Sequence, residues 1–129
     1  MTQSLFAVTL VVPDYDDAIA FYTQTLSFTL LQDVDLGGGK RWVRVAPPGP
    51  GDASLLLAKA DGPSQTAAVG NQTGGRVGFF LQTDDFQRDY NAMVTAGVHF
   101  EEDPRNEPYG IVAVWRDPCG NRWDLIQFT

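Results

Sequence analysis

Hydrophobic and polar positions along the chain fall into an order that occurs twice. Leu5 to Val12 is an apolar run rich in β-branched residues and halted by Pro13-Asp14, which predicts a buried strand. Behind it Ala18, Phe21, Tyr22 and Thr25 lie at i, i+3, i+4 and i+7 spacing, one face of a helix reaching about Leu26. Asp14 suits the N-cap of that helix, and Asp16 and Asp17 put negative charge in its first turn, where the helix dipole favours it. Thr29 to Asp35, Arg41 to Ala46 and Ser54 to Lys59 predict three further strands. Gly37-Gly38-Gly39 and Pro47-Pro48-Gly49-Pro50-Gly51 separate them, since neither segment can continue a ladder.

The order restarts after a small, polar stretch from Asp61 to Gly75 that reads as an exposed linker. Val77 to Thr83 predicts a strand. Asp85 caps a helix carrying Phe86, Tyr90, Met93 and Ala96, and Gly97 stands where a helix-ending glycine belongs. Val98 to Glu101, Ile111 to Arg116 and Arg122 to Phe128 predict three more strands, the last two joined by the turn Asp117-Pro118-Cys119-Gly120-Asn121. Asp14 and Asp85, each closing a strand and opening a helix, are 71 residues apart. Two copies of such a unit are too few for a solenoid and predict a pairing around one interior. The expected class is therefore α+β: two βαβββ modules, residues 1–60 and 76–129 joined by the linker 61–75, in one domain with helices outside a curled eight-stranded sheet.

Composition narrows the function. A chain of 129 residues buries a core without needing a disulfide or a structural metal. A net charge of −7 with few, scattered basic residues argues against nucleic acid, and no apolar run is long enough for a membrane span or a signal peptide. A cytoplasmic location is expected, and the single Cys119, unable to form an internal disulfide, agrees with it.

The opening Val8-Thr9-Leu10-Val11-Val12-Pro13-Asp14 with Ala18-Ile19-Ala20-Phe21-Tyr22, the pair Tyr109-Gly110, and the closing Arg116-Asp117-Pro118-Cys119-Gly120-Asn121-Arg122-Trp123-Asp124-Leu125 resemble the vicinal oxygen chelate superfamily. That group holds glyoxalase I, extradiol dioxygenases and bleomycin-resistance proteins. The resemblance implies a half-barrel cup with metal ligands pointing inward from the first and last strand of each module. Carried over residue by residue, the ligand positions fall at Ala7, at or next to Leu56, at Gly78 within one residue, and at Asp124. Only Asp124 has a donor side chain, and one carboxylate does not hold a catalytic divalent ion against water. No metal and no cofactor are therefore expected. His99, the one histidine, is off all four positions and is expected to be solvated.

Strand alternation puts Asp124 and Ile126 on one face and Trp123 and Leu125 on the other. A carboxylate facing a semi-apolar cup would have a raised pKa, fitting it to proton transfer or to an amine; the competing role is an ion pair with Arg44, Arg116 or Arg122. Trp42 shares a face with Arg44, an aromatic plane beside a guanidinium that suits an anionic or conjugated ligand, or else a core tryptophan. Tyr109 is a candidate rim donor or a turn residue. Thr9 and Trp115 complete the ligand-binding set, with Asp124 the candidate catalytic group. Cys119 has no neighbouring histidine and reads as incidental. The leading function is metal-free binding of a small organic molecule, probed against a glyoxalase- or dioxygenase-like enzyme with a divergent or metal-independent site using Asp124, and against a module with no ligand. Large aromatic residues on strands (Trp42, Trp115, Trp123, Phe128) together with the family resemblance predict a homodimer.

Overall fold

The structure is a computed structural model describing residues 1–129. The chain clusters into two compact units, Met1–Val69 and Gly70–Thr129.

The first unit runs β1 (Ala7–Val12), α1 (Tyr15–Ala20), a π-helical turn (Phe21–Thr25), β2 (Thr29–Gly37), β3 (Lys40–Ala46), β4 (Ser54–Lys59) and α2 (Gly62–Ala68). Asp14 caps α1 as its sequence position requires, its carboxylate accepting from the Asp17 amide at 2.9 Å. The sheet order is β1-β4-β3-β2, with β1 parallel to β4 and the other pairs antiparallel. Leu10, Val12, Val43, Val45, Leu55 and Leu57 are buried with Tyr15, Tyr22 and Phe28, and α1 packs on β3 and β4. All nine residues of β2, the edge strand, are exposed, Leu30, Leu31, Val34 and Leu36 among them.

The second unit repeats the plan with β5 (Phe79–Gln82), α3 (Phe86–Thr95), β6 (His99–Phe100), β7 (Arg105–Glu107), β8 (Gly110–Arg116) and β9 (Arg122–Phe128). Its sheet order is β5-β9-β8-β6, β5 is parallel to β9, and β7 also pairs with β8. Asp85 caps α3 through the Arg88 amide. One side of the sheet carries a stack, Phe79 on Trp123 at 4.7 Å and Trp123 on Trp115 at 4.9 Å between ring centroids. Phe86 and Met93 of α3 are buried, and α3 packs on β9.

The duplication is thus a duplication of topology: first strand, helix, then a meander whose last strand lies parallel to the first. Two features depart from expectation. The Asp61 to Gly75 stretch is not wholly irregular, for Gly62–Ala68 forms a short helix with Pro63 in its first turn, where a missing N–H costs nothing. Nine strands form rather than eight. Beyond Phe100 the Glu102 carboxylate accepts from the Val114 amide at 3.2 Å and replaces a ladder bond, and Pro104 follows without an N–H to donate. Pairing resumes at Arg105, which makes the additional strand β7.

Candidate functional site

Cross-strand pairing sets one row of side chains across each sheet. In the first unit Gln32 pairs with Arg44, Arg44 with Leu56, and Leu56 with Thr9. In the second, Val114 pairs with Asp124 and Asp124 with Phe80. Directly opposed residues share a face, so each row lies on one face of its sheet. Thr9 and Phe80 are 71 residues apart, the same offset as the helix caps. The two rows are the same place in the two copies.

The first row carries a polar network. Trp42 Nε1 donates to Gln32 Oε1 at 2.9 Å and an Arg44 terminal nitrogen donates to the same oxygen at 2.8 Å. Arg44 Nε donates to Ser54 Oγ at 3.1 Å, and the Ser54 hydroxyl donates to the Phe6 carbonyl at 3.0 Å. The Arg44 guanidinium also lies over the Phe6 ring, 4.0 Å from its centroid, in cation–π geometry. Trp42 and Arg44 therefore do share a face. The guanidinium keeps one terminal nitrogen outside these bonds, beside an indole held in place by Gln32.

The second row carries Asp124. Phe80 and Val114 flank it across the strands, Ile126 follows it on the same face, and its Oδ1 is buried with no hydrogen-bond partner. Burial raises its pKa above the ordinary carboxylate value; the Arg105 charge pulls it down and Glu102 pushes it back up. The competing role, an ion pair with Arg44, Arg116 or Arg122, does not form. Arg116 and Arg122 both turn to Glu101, Nε to Oε2 at 3.0 and 2.8 Å, and Arg44 is engaged with Gln32 and Ser54. Arg105 is held by Glu102 and Glu107 at 2.9 and 2.7 Å. Phe80, 66% exposed, offers an aromatic face beside the carboxyl.

Trp115 requires correction as a ligand-binding residue. It pairs with Trp123, is 0% exposed, and sits in the aromatic stack on the opposite face from Asp124. Tyr109 is a turn residue between β7 and β8 whose carbonyl accepts from the Thr129 amide and hydroxyl at 3.0 and 3.3 Å, with its ring exposed. His99 is exposed at the start of β6, and Cys119 is half-buried in the β8–β9 turn. Gln32 and Ser54 were not singled out from the sequence. The available signal was weak: a glutamine in the otherwise apolar alternating set Leu30, Val34 and Leu36 of β2, and a serine opening β4.

Three of the four positions that the resemblance implies for a metal carry no donor side chain. Ala7 and Leu56 lie on the first unit's row face and offer no donor atom, and Gly78 has no side chain at all. Nowhere do three or more His, Cys, Asp or Glu side chains group to hold a metal ion.

With its βαβββ order occurring twice, the chain belongs to the Glyoxalase/Bleomycin resistance protein/Dioxygenase superfamily: the family model matches residues 4–125. Among relatives, an uncharacterized protein of Shewanella frigidimarina is 52% identical over 130 residues, covering 100% of this chain and 96% of its own. Among solved structures, UcmS2 has a TM-score of 0.84 at 31% identity, with 98% of each chain covered. TnmS3, described as an antibiotic binding protein from Streptomyces sp. CB03234, has a TM-score of 0.80 at 33% identity, covering 99% of this chain and 98% of its own. No helix is long and apolar enough to cross a membrane.

Proposed function

We propose that the protein binds a small, conjugated organic molecule on the row faces of its sheets, without the family's metal. The observation that carries this reading is the pairing of aromatic surface with polar groups left for a ligand: Trp42 with the free terminal nitrogen of Arg44, and Phe80 with the unpartnered Asp124 oxygen. A mostly apolar lining with a few placed polar groups is what small-molecule sites use. Arg44 suits an anionic or carbonyl oxygen of the ligand, and Asp124 suits an amine, hydroxyl or amide hydrogen. The resemblance to an antibiotic-binding protein supports the same class of ligand. A second copy of the chain completes the site. The first unit exposes the apolar residues of β2 with Phe6 and Val8, and the second exposes Phe80 and Phe128, in each case apolar surface that a partner subunit covers. A cytoplasmic location fits a sequence whose one cysteine can form no internal disulfide.

A second reading is favoured by Asp124 alone. A carboxyl raised by burial is suited to general acid or base work, which would make the protein a metal-independent enzyme of the same fold.

The test is a native mass spectrum of freshly purified protein beside elemental analysis. An organic adduct released on denaturation, with divalent metal far below one per chain, is the expected result. Zinc, iron, nickel or manganese near one per chain, retained through gel filtration, would overturn the metal-free reading.

A further inference from the structure

We infer that the second unit carries an oxyanion site of the phosphate class, separate from the Asp124 row. A cavity of about 180 Å³ is lined by Gly70, Asn71, Thr73, Gly75 and Arg76 of the loop before β5, by Phe79, and by Arg116, Gly120, Asn121 and Arg122 at the β8–β9 turn. Three guanidiniums line it and no carboxylate does. In a chain of net charge −7 this concentration of positive charge is out of keeping with the rest of the surface.

The charges do not cancel locally. Arg116 and Arg122 share the single carboxylate of Glu101, and Arg122 spends a further N–H on the Gly75 carbonyl at 3.0 Å. Arg116 uses only its Nε in this way, which leaves both terminal nitrogens. The Arg76 side chain is exposed and makes no ion pair or hydrogen bond. Three guanidiniums against the one carboxylate that two of them bond, Glu101, leave two positive charges at the cavity wall, with Asp124 and Glu102 acting on Arg122 only through space.

The walls are built for close approach. A Cβ at Gly70 would stand 1.9 Å from the Cys119 carbonyl oxygen, so the loop lies against the β8–β9 turn in a way only glycine permits there. The turn itself is fixed by Asp117, whose Oδ1 accepts from the Cys119 and Asn121 amides at 3.0 and 2.9 Å. Arg116 and Arg122, the residues on either side of that turn, are thereby held at a set spacing. Phe79, at the end of the Trp123–Trp115 stack, gives the cavity one apolar wall. Inorganic phosphate and the phosphate of a phosphomonoester present the same group to such a site. The apolar wall favours an ester whose organic part lies on Phe79.

The experiment measures binding to the full-length protein by calorimetric titration at low ionic strength, with inorganic phosphate in one arm and phenyl phosphate in the other. Phosphate is expected to bind and matched chloride not to bind. Phenyl phosphate is expected to bind more tightly, and Arg76→Ala to weaken both about tenfold, the loss of one charge-assisted contact. Arg76 holds no structural contact, so the variant folds as the parent does. Tighter binding of inorganic phosphate than of the ester would assign the site to the free ion. No phosphate binding beyond chloride, or phosphate affinity unchanged in Arg76→Ala, would overturn the site. Neither outcome bears on the metal-free row faces, because none of the row residues lines this cavity.

Discussion

Asp124 shows what one residue's surroundings do to it. Its carboxylate form is penalised by burial among Phe80, Val114 and Ile126, and its Oδ1 finds no donor. A folded-state pKa raised above the unfolded value means the folded protein binds the extra proton first. Stability tied to this group is therefore complete below the unfolded pKa and declines as pH rises through the folded pKa. Asp124→Asn is expected to raise stability at pH 7 by roughly 1 kcal/mol, discounted for partial solvent screening, and the gain should vanish as the pH falls below both values. Thermal melts of the two proteins across that range give the check; a lower melting temperature for the variant at pH 7 would mean that the carboxylate is paired. On the other row, Arg44→Ala is expected to weaken ligand binding about tenfold or more, read by titration with whatever ligand native mass spectrometry recovers. Alternation gave the shared face of Trp42 and Arg44, whereas Asp124 stood out through the family resemblance. The face of Trp115 depends on register: with Arg116 opposite Arg122, residue 124 must meet Val114 and Trp115 must meet Trp123. Gln32 escaped notice because its role comes from two partners on another strand.

Strands and helices were read from the sequence with small errors, and the errors have causes. β1 starts at Ala7 rather than Leu5, because pairing with β4 begins at Ser54. The β6–β7 break follows from the Glu102 side chain taking the Val114 amide, a contact between residues 12 apart that no local pattern displays. The β8–β9 turn was the most legible element, since its Asp, Pro, Gly and Asn each have a conformational reason to be there. Asp117 is buried and also accepts from Asn121 Nδ2 at 2.7 Å. Asp117→Ala leaves two amides and a carboxamide without their acceptor, and is expected to cost about 2 to 3 kcal/mol. Denaturant melts would show it as a lower midpoint with an unchanged slope; a cost within experimental error would remove the turn from the account. Gly110→Ala should be worse tolerated still, for its φ is +154° and a Cβ would stand 2.1 Å from the Gln127 carbonyl oxygen across the β8–β9 ladder.

At the scale of the whole molecule the chain has the family's frame, and three of the four positions the resemblance implies for a metal lack a donor side chain. Family membership was legible from the motifs at the two ends of the chain and from the repeat, whereas the assignment of Ala7, Leu56 and Gly78 to metal positions rests on the family resemblance. What the sequence does not display is surface: that β2 is exposed along its entire length emerges only once the sheet order is known. Apolar residues in such numbers on an edge strand predict a two-fold dimer. Sedimentation equilibrium at micromolar concentration should return twice the 14.1 kDa chain mass, and the single-chain mass would place binding within one subunit. Metal-independent binding is the central claim, and affinity selection in the presence of a chelator tests it most directly. Protein held in EDTA is incubated with a library of conjugated organic molecules, antibiotics included, and what co-elutes with it is identified by mass spectrometry. The account predicts that at least one compound is captured equally with and without EDTA and is lost from Arg44→Ala. Capture that disappears with EDTA and returns with a divalent ion would contradict it.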